Sequence, residues 1–160
     1  MTEKKRVKIY PASNEQMEKQ IAAENDAELK KAYKEMLQGC VENPNLRDWY
    51  AMWIIENENG SYIGNLCYKG FEKNKNPEIG YGIFGEFQGK GYATEAVRIA
   101  LNWAFQNPEV KAVEAETETE PRNIASQKVL EKCGFKATGV IGEEGPRFIL
   151  HREQKNSKRM

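Results

Sequence analysis

A mixed α/β domain is predicted, with its elements in the order β-α-α-β-β-β-α-β-α-β-β. Three observations predict it. Runs rich in aromatic and β-branched residues, split by polar turns such as "NENG", mark a strand meander between residues 50 and 84. Apolar residues at 93, 96, 97, 100, 101, 104 and 105 fall at helical spacing directly after a glycine-rich turn. A second helix pattern at 123–133 lies between further strand patterns. The chain of 160 residues is long enough for one domain with a buried core. Residues 1–152 are assigned to that domain and 153–160 to a polar tail.

Each element has a local reason. Residues 7–10 read as a short strand ending at Pro11. Residues 14–24 and 28–37 are helix-rich in composition, with Met17, Ile21, Leu29, Tyr33 and Leu37 as apolar positions. The stretch 39–48, with Gly39 and Pro44, reads as a loop. Strands follow at 50–56, 62–68 and 78–84, antiparallel because short turns join only antiparallel neighbours. Trp53 is expected in the core, and Trp49 and Tyr50 either there or on a pocket wall. The helix at 92–105 stops before Pro108. A strand at 110–117 puts Val113, Ala115 and Thr117 on one face and Glu114 and Glu116 on the other. Asn123 suits a helix N-cap and Gly134 the residue after its end. Strands at 135–141 and 148–152 close the domain.

Composition narrows the function. The 24 basic residues balance the 24 acidic ones, so no global field draws the chain to nucleic acid or an anionic membrane. The opening "MTEKKRVKIYPAS" is charged, and no run approaches the ~20 apolar residues of a membrane span. A cytoplasmic location is expected. Cys40, Cys67 and Cys133 are far apart and His151 is the single histidine, so no metal is expected. The cysteines read as packed apolar residues.

Two glycine patterns then compete within "EIGYGIFGEFQGKGYATEA". Gly80, Gly82 and Gly85 spell G-x-G-x-x-G, but a dinucleotide loop needs those glycines to open a helix after a strand. Here the first lies inside the strand, no helix follows directly, and residues 100–105 supply no acidic partner. A Walker loop fails on spacing, and Gly91 stands where its hydroxyl would be. The second pattern, Gln88, Gly91 and Ala93 in "QGKGYA", leaves a strand and enters a helix. Its glycines let backbone approach a ligand, and the helix start offers unpaired N–H groups and partial positive charge. That suits a pyrophosphate, with Lys90 as an added cation.

The Q-x-x-G-x-A loop between strand and helix resembles the acetyl-CoA loop of the GCN5-related N-acetyltransferase (GNAT) superfamily. "NIASQKVLEKCGF", a helix opening with Asn123 and closing in Gly134–Phe135, is similar to that family's second signature. Asn123 with Ser126 looks more like the ribosomal-protein-alanine N-acetyltransferase branch. The resemblance spans residues 53–152 and implies the GNAT-type acyl-CoA N-acyltransferase fold.

It also implies roles. Ile83 and Phe84 would offer backbone groups to the pantetheine arm of acetyl-CoA, and Gln88, Gly89, Lys90, Gly91, Tyr92 and Ala93 would wrap the pyrophosphate. Asn123 would bond the pantetheine region. The chemistry implied is direct attack by an amine on the thioester, with no acyl-enzyme and no metal. An alkylammonium of pKa ~10.4 must first lose a proton, and Glu118 is the expected base, with Glu116 and Glu78 next. The tyrosine many members use as acid is replaced by Leu130, which the helix pattern places in the core. Ser126 matches a serine proposed as acid in the ribosomal-protein branch. Without that tyrosine, a non-catalytic acyl-CoA-binding module is the alternative. The acceptor amine is not legible, and because dimers are common in the superfamily a homodimer stays open.

Overall fold

The computed structural model describes residues 5–117 and 123–153, with the Asn123 side chain left aside. Seven strands form one sheet in the order β1-β2-β3-β4-β5-β7-β6. They are β1 Lys8–Pro11, β2 Met52–Glu56, β3 Tyr62–Tyr68, β4 Glu78–Ile83, β5 Ala112–Glu116, β6 Lys136–Ile141 and β7 Pro146–His151. All neighbours are antiparallel except β4 and β5. The helices are α1 Asn14–Ala23, α2 Ala27–Glu42, α3 Arg47–Tyr50, α4 Tyr92–Ala104 and α5 Asn123–Lys132. This is the mixed α/β architecture expected from the sequence.

The main core lies on one face of the sheet, beneath α4 and α5. Alternation sends Leu66 and Tyr68 of β3, Ile79 of β4, Val113 and Ala115 of β5, and Phe148 and Leu150 of β7 to this face. Ala96, Val97, Ala100, Leu101 and Ala104 of α4 pack on them, as helical spacing requires. Leu130 is fully buried in the same cluster, and Trp49 and Trp53 join it. On the other face, Met17 of α1 and Cys40 of α2 pack on Ala51, Met52 and Ile54.

The stretch 39–48 is the main correction. Residues expected to form a loop continue α2 to Glu42, then pass through a 3₁₀ turn at Pro44–Leu46 into α3. Gly39 lies within α2, and the Tyr50 ring lies where its Cβ would stand, so its glycine serves packing rather than a turn. Pro44 opens the next turn, a position where its missing N–H costs nothing. Tyr50 accordingly ends α3, and the second strand begins two residues later than expected, at Met52.

Candidate active site

The site begins where the sheet comes apart. β4 and β5 keep two registered pairs, Glu78 with Glu114 and Ile79 with Ala115, and one further bond from Glu114 N–H to Pro77 C=O. Past Ile79, β4 continues with β3 and β5 continues with β7, leaving a gap between them. Backbone alternation decides which groups face it. Glu78 C=O accepts from Lys69 and Phe84 N–H donates to Ile63 C=O, so the even-numbered residues bond to β3. Tyr81 and Ile83 therefore turn their backbone groups towards the gap, and the Gln88 side-chain amide takes one of these, Ile83 C=O, at 2.8 Å.

The backbone groups of Phe84 are engaged within the protein. Its N–H is bonded to Ile63, and its C=O accepts from Phe87 N–H at 2.8 Å. Tyr81, rather than Phe84, joins Ile83 at the gap. The signal for Tyr81 was present in the alternation of the strand.

From β4 the chain runs through residues 84–91 into the N-terminus of α4. Gly89 and Gly91 have φ of +76° and +84°, in the left-handed region that favours glycine. Gly91 is the N-cap residue and its C=O receives the first helical bond, from Glu95 N–H. The N–H groups of Tyr92, Ala93 and Thr94 precede that bond, as in any helix start. Lys90 is exposed beside them.

Arg6, from the segment before β1, is a residue that the sequence did not flag. Its guanidinium carbon lies 4.7 Å from the centre of the Tyr92 ring. Nη2 is 3.1 Å from where a Cβ on Gly91 would stand. Its own N–H donates to Glu95 Oε2 at 3.1 Å, across 89 positions of chain. No local pattern could have announced that contact. The Tyr92 hydroxyl in turn donates to Glu58 at 2.6 Å.

On the face away from α4, a group of carboxylates lies at the closed end of the gap. Arg147 of β7 donates to Glu116 (2.6 Å), Glu78 (3.0 Å) and Glu114 (3.0 Å). The Glu144 N–H at 2.8 Å, together with Arg147, holds Glu116 below the ordinary carboxylate range, against the opposite pull of burial. Burial pushes Glu114 up, but bonds from Asn76 and Arg147 outweigh it and leave it low. Glu78, Glu116 and Arg147 border a cavity of about 320 Å³ that Lys69, Glu143 and Glu144 also line. Four carboxylates face two cations there. Glu116 and Glu78, the second choices for the base, are thus already committed to ion pairs.

Glu118 lies outside the described residues. The Asn123 backbone starts α5. Ser126, half-buried in the first turns of α5, accepts through its C=O from the Tyr81 hydroxyl at 3.2 Å. Burial raises the Tyr81 phenol well above its usual value. Leu130 sits in the core, which leaves no phenol at that helix position. Among the described residues, no group of three or more His, Cys, Asp or Glu is placed to hold a metal ion. No helix among them is long and apolar enough to cross a membrane.

This geometry can be set beside known proteins. The acetyltransferase (GNAT) domain family matches residues 3–136, most of the chain. The chain belongs to the GNAT family. Among named GNAT relatives, the probable N-acetyltransferase YjcK of Bacillus subtilis is 44% identical over 62 residues, covering 39% of this chain and 33% of that protein. The putative ribosomal N-acetyltransferase YdaF of the same organism is 31% identical over 115 residues, covering 61% of this chain and 62% of its own. The chain thus spans between a third and about three fifths of the curated GNAT relatives it matches.

Solved GNAT structures share the fold. Spermidine N-acetyltransferase of Vibrio cholerae, in complex with CoA and spermine, superposes with a TM-score of 0.72 at 15% identity, over 94% of this chain and 98% of its own. Aminoglycoside acetyltransferase AAC(6')-Ib with coenzyme A gives 0.69 at 18%, over 96% and 99%.

Proposed function

We propose that the chain transfers an acetyl group from acetyl-CoA directly to an amine acceptor. The observation that carries this is the parting of β4 from β5 after Ile79 and Ala115, on the strand that leads through the Gly89 and Gly91 turn into α4. A thioester arm entering the gap meets the backbone of Tyr81 and Ile83, while its pyrophosphate reaches the first-turn N–H groups of α4. Gly89 and Gly91 supply the left-handed turn that brings the backbone close, and Arg6 and Lys90 supply positive charge.

The acceptor amine gives its proton to Glu118, directly or through a water, and its nitrogen attacks the thioester carbonyl. The C–S bond then breaks, the sulfur leaves as thiolate, with pKa only ~8.5, and the second proton shed by the nitrogen ends on that sulfur. Ser126 serves as proton relay to that sulfur, a role supported by the bond from the Tyr81 hydroxyl of β4 to the Ser126 carbonyl, which joins the first turns of α5 to the strand at the gap. Asn123 holds the pantetheine region.

The finer placement, within the ribosomal-protein-alanine branch, is supported by Asn123 with Ser126 and by the similarity to YdaF. An amine acceptor agrees with the aminoglycoside and spermidine named for the structural neighbours. A second reading, an acyl-CoA-binding module without turnover, is favoured by Leu130 in the core and by Glu78 and Glu116 held in ion pairs.

Calorimetric titration of acetyl-CoA into wild type and Gly91→Asp, with NADH as control, tests the site. Micromolar binding lost in the variant, with no heat from NADH, is expected. A folded wild type that ignores acetyl-CoA ends both readings. Binding without transfer to any amine leaves the second.

A further inference from the structure

Gly80 and Gly82 belong to a motif that the acetyl-transfer reading does not use. Glycine inside a strand weakens it, because it packs nothing and loses more backbone entropy. Such a glycine needs a reason: a left-handed φ, a neighbour too close for a Cβ, or something outside the chain that must approach. Gly64, on β3, has the second reason, since a Cβ there would collide with the Gly82 carbonyl oxygen. Gly80 and Gly82 have neither of the first two. Their φ values are ordinary. Among the described residues, a Cβ on Gly82 would meet no heavy atom within 4 Å, and one on Gly80 only Cys67 Sγ at 3.7 Å and Lys69 Cε at 3.9 Å.

Both glycines face the same way as Glu78, away from α4, and there β4 borders the gap. On the β3 side stands Asn65, the partner of Gly82, with its Nδ2 on the Tyr62 hydroxyl at 3.2 Å. The Tyr62 and Phe84 rings meet edge to face with centroids 5.0 Å apart, and Phe84 is exposed. At the other end of the bare backbone lies the acid-rich cavity bordered by Glu78 and Glu116.

We propose that Gly82, with Gly80, forms the floor on which the acceptor lies, and that Gly82 selects a slender cationic amine. This rests on the acetyl-transfer reading above. An alkylamine lying along β4 sets its methylenes against bare backbone and the Phe84 ring. A second positive group reaches the cavity, where carboxylates outnumber cations. The reacting nitrogen then lies at the edge of the gap through which the thioester arrives. A Cβ at position 82 would stand in the acceptor's place with no heavy atom of the described residues within 4 Å.

The test uses Gly82→Val and Gly82→Ala, with spermidine as the slender cationic probe. Release of CoA thiol gives KM and kcat, calorimetry gives acetyl-CoA affinity, and a thermal melt gives Tm. Valine favours a strand, so Tm is expected to hold or rise and acetyl-CoA Kd to stay within about twofold. The spermidine KM is expected to rise at least about tenfold in Gly82→Val and less in Gly82→Ala. An unchanged KM in folded Gly82→Val overturns the assignment. So does a Tm several degrees lower in Gly82→Ala, which would make the glycine structural. Wild type that binds acetyl-CoA yet leaves spermidine unacetylated overturns this acceptor class alone. Wild type that does not bind acetyl-CoA overturns the transfer reading and this inference with it.

Discussion

Arg147 donates from Nη1 to Oε1 of Glu116 at 2.6 Å, so a cation on β7 occupies the carboxylate that closes β5. A carboxylate engaged in this way is a weak acceptor for a substrate proton. Glu116→Gln is therefore expected to change kcat by less than about threefold, whereas Glu118→Gln lowers it about 10²- to 10⁴-fold. Steady-state rates on both variants check this, with acetyl-CoA affinity expected within about twofold of wild type. Equal losses would move the base to Glu116.

The same pairing predicts an acid-side dependence of stability. Glu114 and Glu116 are both held below the ordinary carboxylate value. The unfolded chain then binds more protons than the folded one as pH falls. The stabilisation is complete above the unfolded value of about 4.3 and disappears as pH drops through the lower folded values. Melts of wild type and Glu116→Gln should differ by a constant amount from about pH 7 down to about pH 5 and converge below that.

Leu130 offers a test of the missing phenol. It is fully buried, so Leu130→Tyr must place a larger ring and a hydroxyl in a filled core. Overpacking of this kind costs about 1–3 kcal/mol, and a loss of several degrees in Tm is expected without a gain in kcat. A variant of normal stability and higher kcat would show that this helix position still opens on the reacting sulfur.

Thiol chemistry should report burial rather than catalysis. Burial pushes the Cys67 and Cys133 thiols up to about 11. Alkylation by iodoacetamide at about pH 7.5 is expected to be slow in the folded protein at both, fast after denaturation, and harmless to acetyl-CoA binding where it occurs at Cys67. Rapid labelling of Cys133 in the folded state would contradict its place under α4.

Legibility in the sequence followed the range of each interaction. The helix at Tyr92–Ala104 could be read because its apolar period and its glycine turn are local. Tyr62–Tyr68 could be read because alternation and flanking turns are local too. Gly39 and Pro44 misled because each carries a turn signal, while a tyrosine ring and a 3₁₀ start are what they serve. Gly64 and Gly82 look alike in the chain, yet a neighbouring carbonyl crowds one and open space faces the other. The bond between Arg147 and Glu78 spans 69 positions, and the insertion of β7 between β5 and β6 is a matter of sheet order. Neither leaves a local trace.

The two-rung junction between β4 and β5 has a mechanical consequence. On one side, β1 to β4 form a slab, and on the other β5, β7 and β6 form a second, stitched together by Glu78–Glu114, Ile79–Ala115 and the Arg147 clamp. Such a seam is where native-state opening should begin, so the Tyr81 amide is expected to exchange with solvent faster than that of Gly80, which bonds within the first slab. A cosubstrate lodged in the seam supplies the missing rungs, and the two slabs should then resist denaturant as one.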